Sequence, residues 1–330
     1  MSDLFADLVG QQQAVALLEA ALHHQRLAPA YLFAGPDGVG RRMAALRFLE
    51  GVLAGPGGSA AIRRRLQEGN HPDLLWVEPT YSDKGQLVPA SKAEELGVSR
   101  RAAPQLRLEQ IREVSRFLSR RPVEAPGCLV VLEAVEAMAE GAANALLKTL
   151  EEPGDGLLIL LSAAPEQLLS TIRSRCQQIP FARLSSTLIS QVLAAPIEDP
   201  PELVALAAGS PGALLAHRQQ WQTLPEGLAD RLQSLVAGGD AQRVEGPLTA
   251  LELARDLCEA LEAEQQLWLL DWWQQALWRQ HPGPHQAAAL RRLERLRSQL
   301  RAYVQPRLAW EVALLELGGF KLGQAGAASR

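Results

Sequence analysis

Apolar positions in the first half of the chain gather into short runs, with longer amphipathic stretches between them. The apolar runs Ala30-Tyr31-Leu32-Phe33-Ala34, Cys128 to Leu132 and Leu157 to Ser162 are each five or six residues long, and the segments 73–77 and 177–181 read as further strands. Runs of that length, bounded by polar or glycine- and proline-rich segments, predict buried strands. Helical patterns lie between them: Met43 to Leu53, Ala139 to Glu152 with Pro153 as its stop, and Glu166 to Arg173 before the last strand. Strand alternating with helix predicts a mostly parallel sheet covered on both faces. Residues 79–105 are polar, carry three prolines and show no clear period, which predicts a long mobile loop.

The pattern changes near residue 183. From Leu184 to about His217 the chain reads as short apolar helices broken by Pro196, Pro200-Pro201 and Gly209-Ser210-Pro211-Gly212. Beyond Arg218 no strand is predicted. Leu257, Leu261, Trp268, Trp272 and Leu277, then Leu308, Val312 and Leu315, recur at helical spacing. Three parts follow, 1–182, 183–217 and 218–330. Spacing alone leaves open whether the tryptophans of the last part fill a bundle core or form an interface.

Composition narrows the class. The 330 residues are 47% hydrophobic and 21% charged with a formal net charge of -4, ordinary for a globular protein and opposed to a surface built wholly for nucleic acid. Arg291, Arg292, Arg295 and Arg301 alternate with Leu290, Leu293, Leu296 and Leu300 on an amphipathic helix, where a solvated face is expected over a DNA contact. Arg63 to Arg65 and Arg100-Arg101 are read the same way. No run of eighteen apolar residues occurs, and the opening MSDLFADLVGQQQAV lacks the basic and apolar segments of a secretion signal. A cytoplasmic protein is expected. Cys128, Cys176 and Cys258 are scattered and unpaired in spacing, which predicts buried thiols and no structural zinc.

The candidate chemistry begins at the first strand. Gly35-Pro36-Asp37-Gly38-Val39-Gly40-Arg41-Arg42 follows it and opens a helix, matching both glycines of the phosphate-loop template G-x-x-x-x-G-K-[ST] but neither of its last two positions. In a working loop a lysine reaches the β and γ phosphates and a hydroxyl holds magnesium. Arg41 keeps the charge but has a wide planar fork, and Arg42 offers no oxygen to a metal. The loop is degenerate.

Together with the segments 127–181 and Ser174-Arg175-Cys176, this loop resembles the clamp-loader subunits of bacterial DNA polymerase III, within the AAA+ superfamily, and most closely the δ′ group. The resemblance is strongest over 105–181 and weakest over 220–300. It implies an AAA+ module, then a small helical lid, then an all-α collar that joins subunits into a ring. It also implies a second degenerate motif, since active relatives place Asp-Glu where Glu133 and Ala134 stand, and alanine can neither act as base nor orient water. A sensor arginine of the family is replaced by Gly212. Ser162 matches a phosphate-sensing position and is expected only to cap its strand. The entry segment Leu4-Phe5 through Gly10-Gln11, which helps hold adenine in active members, is expected to serve packing.

The family uses the arginine of Ser174-Arg175-Cys176 in trans, toward the γ phosphate of a neighbouring ATPase. Spacing alone would make Arg175 a surface residue paired with acids such as Glu166, and Cys176 a small buried residue. The resemblance further implies no intrinsic ATPase, no required cofactor, doubtful passive nucleotide binding, no metal, and as partners γ/τ, δ, and through them the sliding clamp and primer-template DNA.

Overall fold

The computed structural model describes residues 3–83, 85–93, 95–98, 103–193, 199–237, 246–280, 287–302 and 304–320. Its strands are β1 (Ala30–Ala34), β2 (Leu74–Val77), β3 (Thr80–Asp83), β4 (Gln86–Pro89), β5 (Leu129–Leu132), β6 (Leu157–Ser162) and β7 (Gln177–Pro180). Five of them form one sheet in the order β2-β5-β6-β1-β7, every pair parallel. The expected mostly parallel α/β module is present. The chain divides into two compact units, Met1–Ala195 with Gly209–Gly212, and Pro196–Ala208 with Ala213–Arg330.

The first unit adds α1 (Gln12–His23), α2 (Arg41–Ala54), α3 (Ala60–Gln67), α4 (Leu108–Leu118), α5 (Glu140–Glu151), α6 (Ser170–Arg173) and α7 (Ser186–Leu193). Side chains of β1 alternate between two buried layers, because successive strand residues face opposite sides. Ala30 and Leu32 join Val130, Leu132, Leu158 and Leu160 in a core completed by Ile111, Val114 and Phe117 of α4 and Leu146 of α5. Tyr31 and Phe33 turn the other way, their ring centroids 5.0 and 6.5 Å from that of Phe48 on α2. Two buried faces explain why β1, β5 and β6 read as continuous apolar runs.

Two expectations are corrected. Residues 79–105 are not a patternless loop: β3 and β4 form an antiparallel hairpin, and Thr80 and Gln105 exchange backbone hydrogen bonds of 2.9 and 3.0 Å. Four-residue strands that leave Leu87 exposed carry too few apolar positions to show a period of two. The helix expected over Glu166 to Arg173 is a 3-10 turn, Pro165–Gln167, followed by the single turn α6. Leu168 and Leu169 are extended between them, which sends Leu168 into the core.

The basic stretch Arg63 to Arg65 is spent on ion pairs. Glu50 of α2 is fully buried and accepts from Ser59 N (2.8 Å), Arg63 Nε (2.9 Å) and Arg47 Nη1 (3.3 Å), stapling α3 to α2. Arg64 pairs with Glu68 and Arg65 with Glu124. Arg100 and Arg101 lie outside the described residues.

The second unit contains α8 (Pro201–Ala207), α9 (Pro211–Gln222), α10 (Leu228–Ala237), α11 (Pro247–Ala260), α12 (Ala263–Gln280), α13 (Ala287–Arg301) and α14 (Pro306–Leu317), with no strand among the described residues. Trp272, Trp273 and Trp310 are fully buried, and Trp310 Nε1 donates to Gln266 Oε1 at 2.9 Å. These tryptophans fill the core. On α13 the solvated face is real for Arg291, Arg295 and Arg301, whereas Arg292 is buried against Glu316 at 2.8 Å. Among the described residues no helix is long and apolar enough to cross a membrane.

Asp73, just ahead of β2, offers a stability test. Its carboxylate accepts from the backbone N–H groups of Val123, Glu124 and Ala125 at 2.7, 2.8 and 2.8 Å. Burial alone would raise this carboxyl; the three donors outweigh it and hold it below the usual range. That contribution is complete above the unfolded value of about 4 and is lost as pH falls through the lowered folded value. Asp73→Asn should therefore cost about 1–3 kcal/mol at neutral pH, by leaving a buried donor unmatched, and the gap to the parent should narrow in acid. Denaturant midpoints measured against pH check both.

Candidate functional site

The parallel register sets the site. Ala34 at the end of β1 lies opposite Ser162 and Pro180, and Leu132 at the end of β5 lies opposite Leu160, so the following loops emerge at one sheet edge. Ligands of open α/β sheets bind at this edge. Gly35 leaves β1 there, its N–H donating to Ser162 O at 3.1 Å, and a Cβ on it would stand 2.3 Å from Phe181 O. Only glycine permits that approach. Gly38 and Gly40 have φ of 73° and 103°, and the loop runs into the N-terminus of α2. A glycine turn running into a helix N-terminus is a geometry that phosphate-binding loops use.

Its side chains close the site on itself. Arg41 forms an ion pair with Asp37, and its Nε and Nη1 are buried without a partner among the described residues. Arg42 Nη1 donates to Glu133 Oε1 at 2.8 Å, while its guanidinium lies 4.8 Å from the centre of the Trp76 ring. Trp76 Nε1 donates to the same Glu133 oxygen. A guanidinium therefore occupies the acid that would approach magnesium. Because Arg42 brings no oxygen and Glu133 is already engaged, these residues do not fit that ion. Ala134 follows in the left-handed region at φ 47°, bringing only a methyl group to a cavity of about 600 Å³ lined by Asp37, Gly38, Arg41, Arg42 and Glu133.

A third contact comes from the segment 209–212. Ser210 Oγ donates to Asp37 O at 2.6 Å and Gly212 N to Gly38 O at 3.0 Å. A Cβ on Gly212 would lie 2.6 Å from Gly38 Cα, so no arginine fits at 212 without moving the loop. Sequence reasoning singled out Asp37 and Gly212 but not the Ser210–Asp37 contact or the Trp76–Glu133 pair. It also missed the role of Gln11, which receives from Ala182 N at 2.9 Å and donates to Ala182 O (2.8 Å) and Val39 O (3.2 Å). One long-range amide thus ties the phosphate loop to the end of β7, and no local signal announces it. Ser162 is fully buried and accepts from Ala164 N at 3.2 Å, a capping contact.

Ser174-Arg175-Cys176 is built around the end of α6. Thr171 O, one of the orphan carbonyls of that short helix, accepts from Ser174 Oγ at 3.1 Å and from Arg175 Nη1 at 3.0 Å. Arg175 Nη2 donates to Glu151 Oε1, the last residue of α5, at 2.8 Å. Glu151, not Glu166, is its acid. Cys176 packs against the core under the sheet, and burial pushes its thiol up to about 12. Among the described residues no three His, Cys, Asp or Glu side chains gather to hold a metal.

A parallel sheet with a glycine loop after an interior strand, an acid at the end of a nearby strand and a second unit that is helical throughout its described residues has the fold of an AAA+ protein of the clamp-loader type. Two family profiles divide the chain: DNA polymerase III, delta subunit, matches residues 10–185, and Cyanobacterial DNA polymerase III delta prime, C-terminal domain, matches 182–317. The chain belongs to this DNA polymerase III family, in its delta prime branch.

Among its relatives, the chain is 35% identical over 234 residues to DNA polymerase III subunit delta′ of Pseudomonas aeruginosa, covering 67% of this chain and 64% of that one. To subunit tau/gamma of Haemophilus influenzae it is 33% identical, covering 64% of this chain and 29% of that one, and to subunit delta′ of Bacillus subtilis 32% identical, covering 56% and 51%. The chain thus spans less than two thirds of each relative's length. A gamma subunit-related protein from Thermotoga maritima shares the fold at a TM-score of 0.54 with 17% identity, over 92% of this chain and 98% of that one.

Thiol reactivity checks the burial described here. Burial raises the thiols of Cys128, Cys176 and Cys258, the last to about 11, so little thiolate exists at pH 8. A disulfide reagent at that pH should label the native chain far more slowly than the denatured chain, which should release all three thiols.

Proposed function

We propose that this chain is the non-hydrolysing delta prime member of a DNA polymerase III clamp loader in the cytoplasm. It completes a ring with gamma/tau and delta subunits through residues 218–330, and supports ATP-driven loading of the sliding clamp on primed DNA. The observation that carries the reading is the Arg42–Glu133 pair in the phosphate-loop site. With Arg41 spent on Asp37, Gly212 closed onto Gly38 and a methyl group at Ala134, the site has nothing to hold magnesium or orient water. Nucleotide and zinc are not required by the chain. Likeness to both delta′ and tau/gamma relatives supports the gamma/tau partnership.

In this role Arg175 acts in trans. Its guanidinium lies half-exposed beyond the sheet edge on a motif whose serine and cysteine are both used internally. A cation aimed at charge developing on a transferred phosphoryl group is worth about a hundredfold or more in rate.

Purified alone, the chain should release no phosphate from ATP above a blank; turnover that Arg41→Ala abolishes would overturn the non-hydrolysing assignment. In the reconstituted loader, Arg175→Ala should leave assembly intact and lower the DNA-stimulated kcat about a hundredfold at the affected site, with a partial loss summed over the other sites. Arg175→Lys should restore little, since an ammonium lacks the fork that bridges two oxygens. Equal turnover by parent and Arg175→Ala assemblies would refute the trans role.

A further inference from the structure

The guanidinium assigned above to a neighbouring site is already engaged within this chain, and the inference drawn from that engagement rests on the trans assignment. Arg175 is held at two points, Glu151 Oε1 at 2.8 Å and Thr171 O at 3.0 Å. Both anchors can give it up cheaply. Thr171 O keeps the Ser174 hydroxyl at 3.1 Å when Arg175 departs, so no carbonyl is stranded. The Glu151 side chain is 53% exposed and returns to water, while that of Arg175 is 36% exposed. Ion pairs this open are weak, because water and salt screen them and two long side chains must be ordered to make them.

We infer that Glu151 is a positioning residue that holds Arg175 until an incoming phosphate displaces it. A carboxylate carries one negative charge. The terminal phosphate of a nucleotide carries up to two and three acceptor oxygens, and it matches the guanidinium fork as well as a carboxylate does. Exchange of the weaker anion for the stronger needs no unfolding and no buried charge. Glu151 is thus a competitor for the arginine: it keeps the side chain ordered in the empty interface and raises the nucleotide concentration needed to recruit it. Because Glu151 ends α5 while Thr171 belongs to α6, the hold also joins two helices that meet beneath the sheet edge.

Competition in the ground state predicts a split between KM and kcat. In the full chain reconstituted with its ATPase partners, Glu151→Gln keeps the side-chain shape but removes the charge, and should lower KM for ATP about two- to five-fold, the range an exposed pair supports, with kcat unchanged. The difference should shrink at high salt. Combined with Arg175→Ala, Glu151→Gln should have no effect, since the group it acts through is gone. An unchanged KM alongside a reduced kcat for Arg175→Ala would overturn the inference and leave the trans arginine standing. A fall in kcat for Glu151→Gln would show that Glu151 supports the engaged arginine, and persistence of the KM shift in the double variant would show action elsewhere. Either result rejects the holding role. If Arg175→Ala itself left kcat unchanged, the trans assignment would fall first and the inference with it.

Discussion

Strand β1 is the constraint on which the rest of the first unit depends. It is hydrogen-bonded to β6 on one side and β7 on the other and is buried on both faces, so neither its register nor its direction can shift without exposing Tyr31, Leu32 and Phe33. Everything at the site is measured from its end. Gly35 leaves it under the Phe181 carbonyl, Ser162 stands beside it, and Gln11 locks the loop that follows to the residues after β7.

On that frame the glycine loop turns its charges inward. A working loop concentrates positive charge for a ligand that supplies the negative charge. Here the positive charges find their acids within the chain, Arg41 in Asp37 and Arg42 in Glu133, while Trp76 lends both a ring face and a donor. The site is neutralised internally, and Ser210 and Gly212 take the carbonyls of Asp37 and Gly38. Arg175 shows the opposite arrangement. Its pair with Glu151 is open to water and weak by the same electrostatic reasoning. Burial marks out only Arg41 among the three, its side chain 9% exposed against 62% for Arg42 and 36% for Arg175.

Much of this was legible in the residues themselves. The positions of β1, β5 and β6 followed from apolar runs because both their faces are buried, and the loop was visible because glycine spacing is dictated by backbone conformation, a local property. The departures of Arg41 and Arg42 from the phosphate-loop template, and of Ala134 and Gly212 from the family's pattern, were visible without any coordinates. Local pattern failed at the hairpin of β3 and β4, whose strands are too short and too exposed to carry a period, and at Leu168, which breaks a helical stretch to reach the core.

Partnership was what only the tertiary structure decided. Glu166 was the acid nearest Arg175 in sequence, yet Glu151 holds it, because the ends of α5 and α6 converge. Gln11 and Val39, Trp76 and Glu133, and Ser210 and Asp37 lie 28, 57 and 173 residues apart. Hydrogen bonds and ion pairs act over a few ångströms, whereas sequence reports only distance along the chain. The sequence therefore determined which side chains the chain brings to each loop, and the fold decided which groups answer one another.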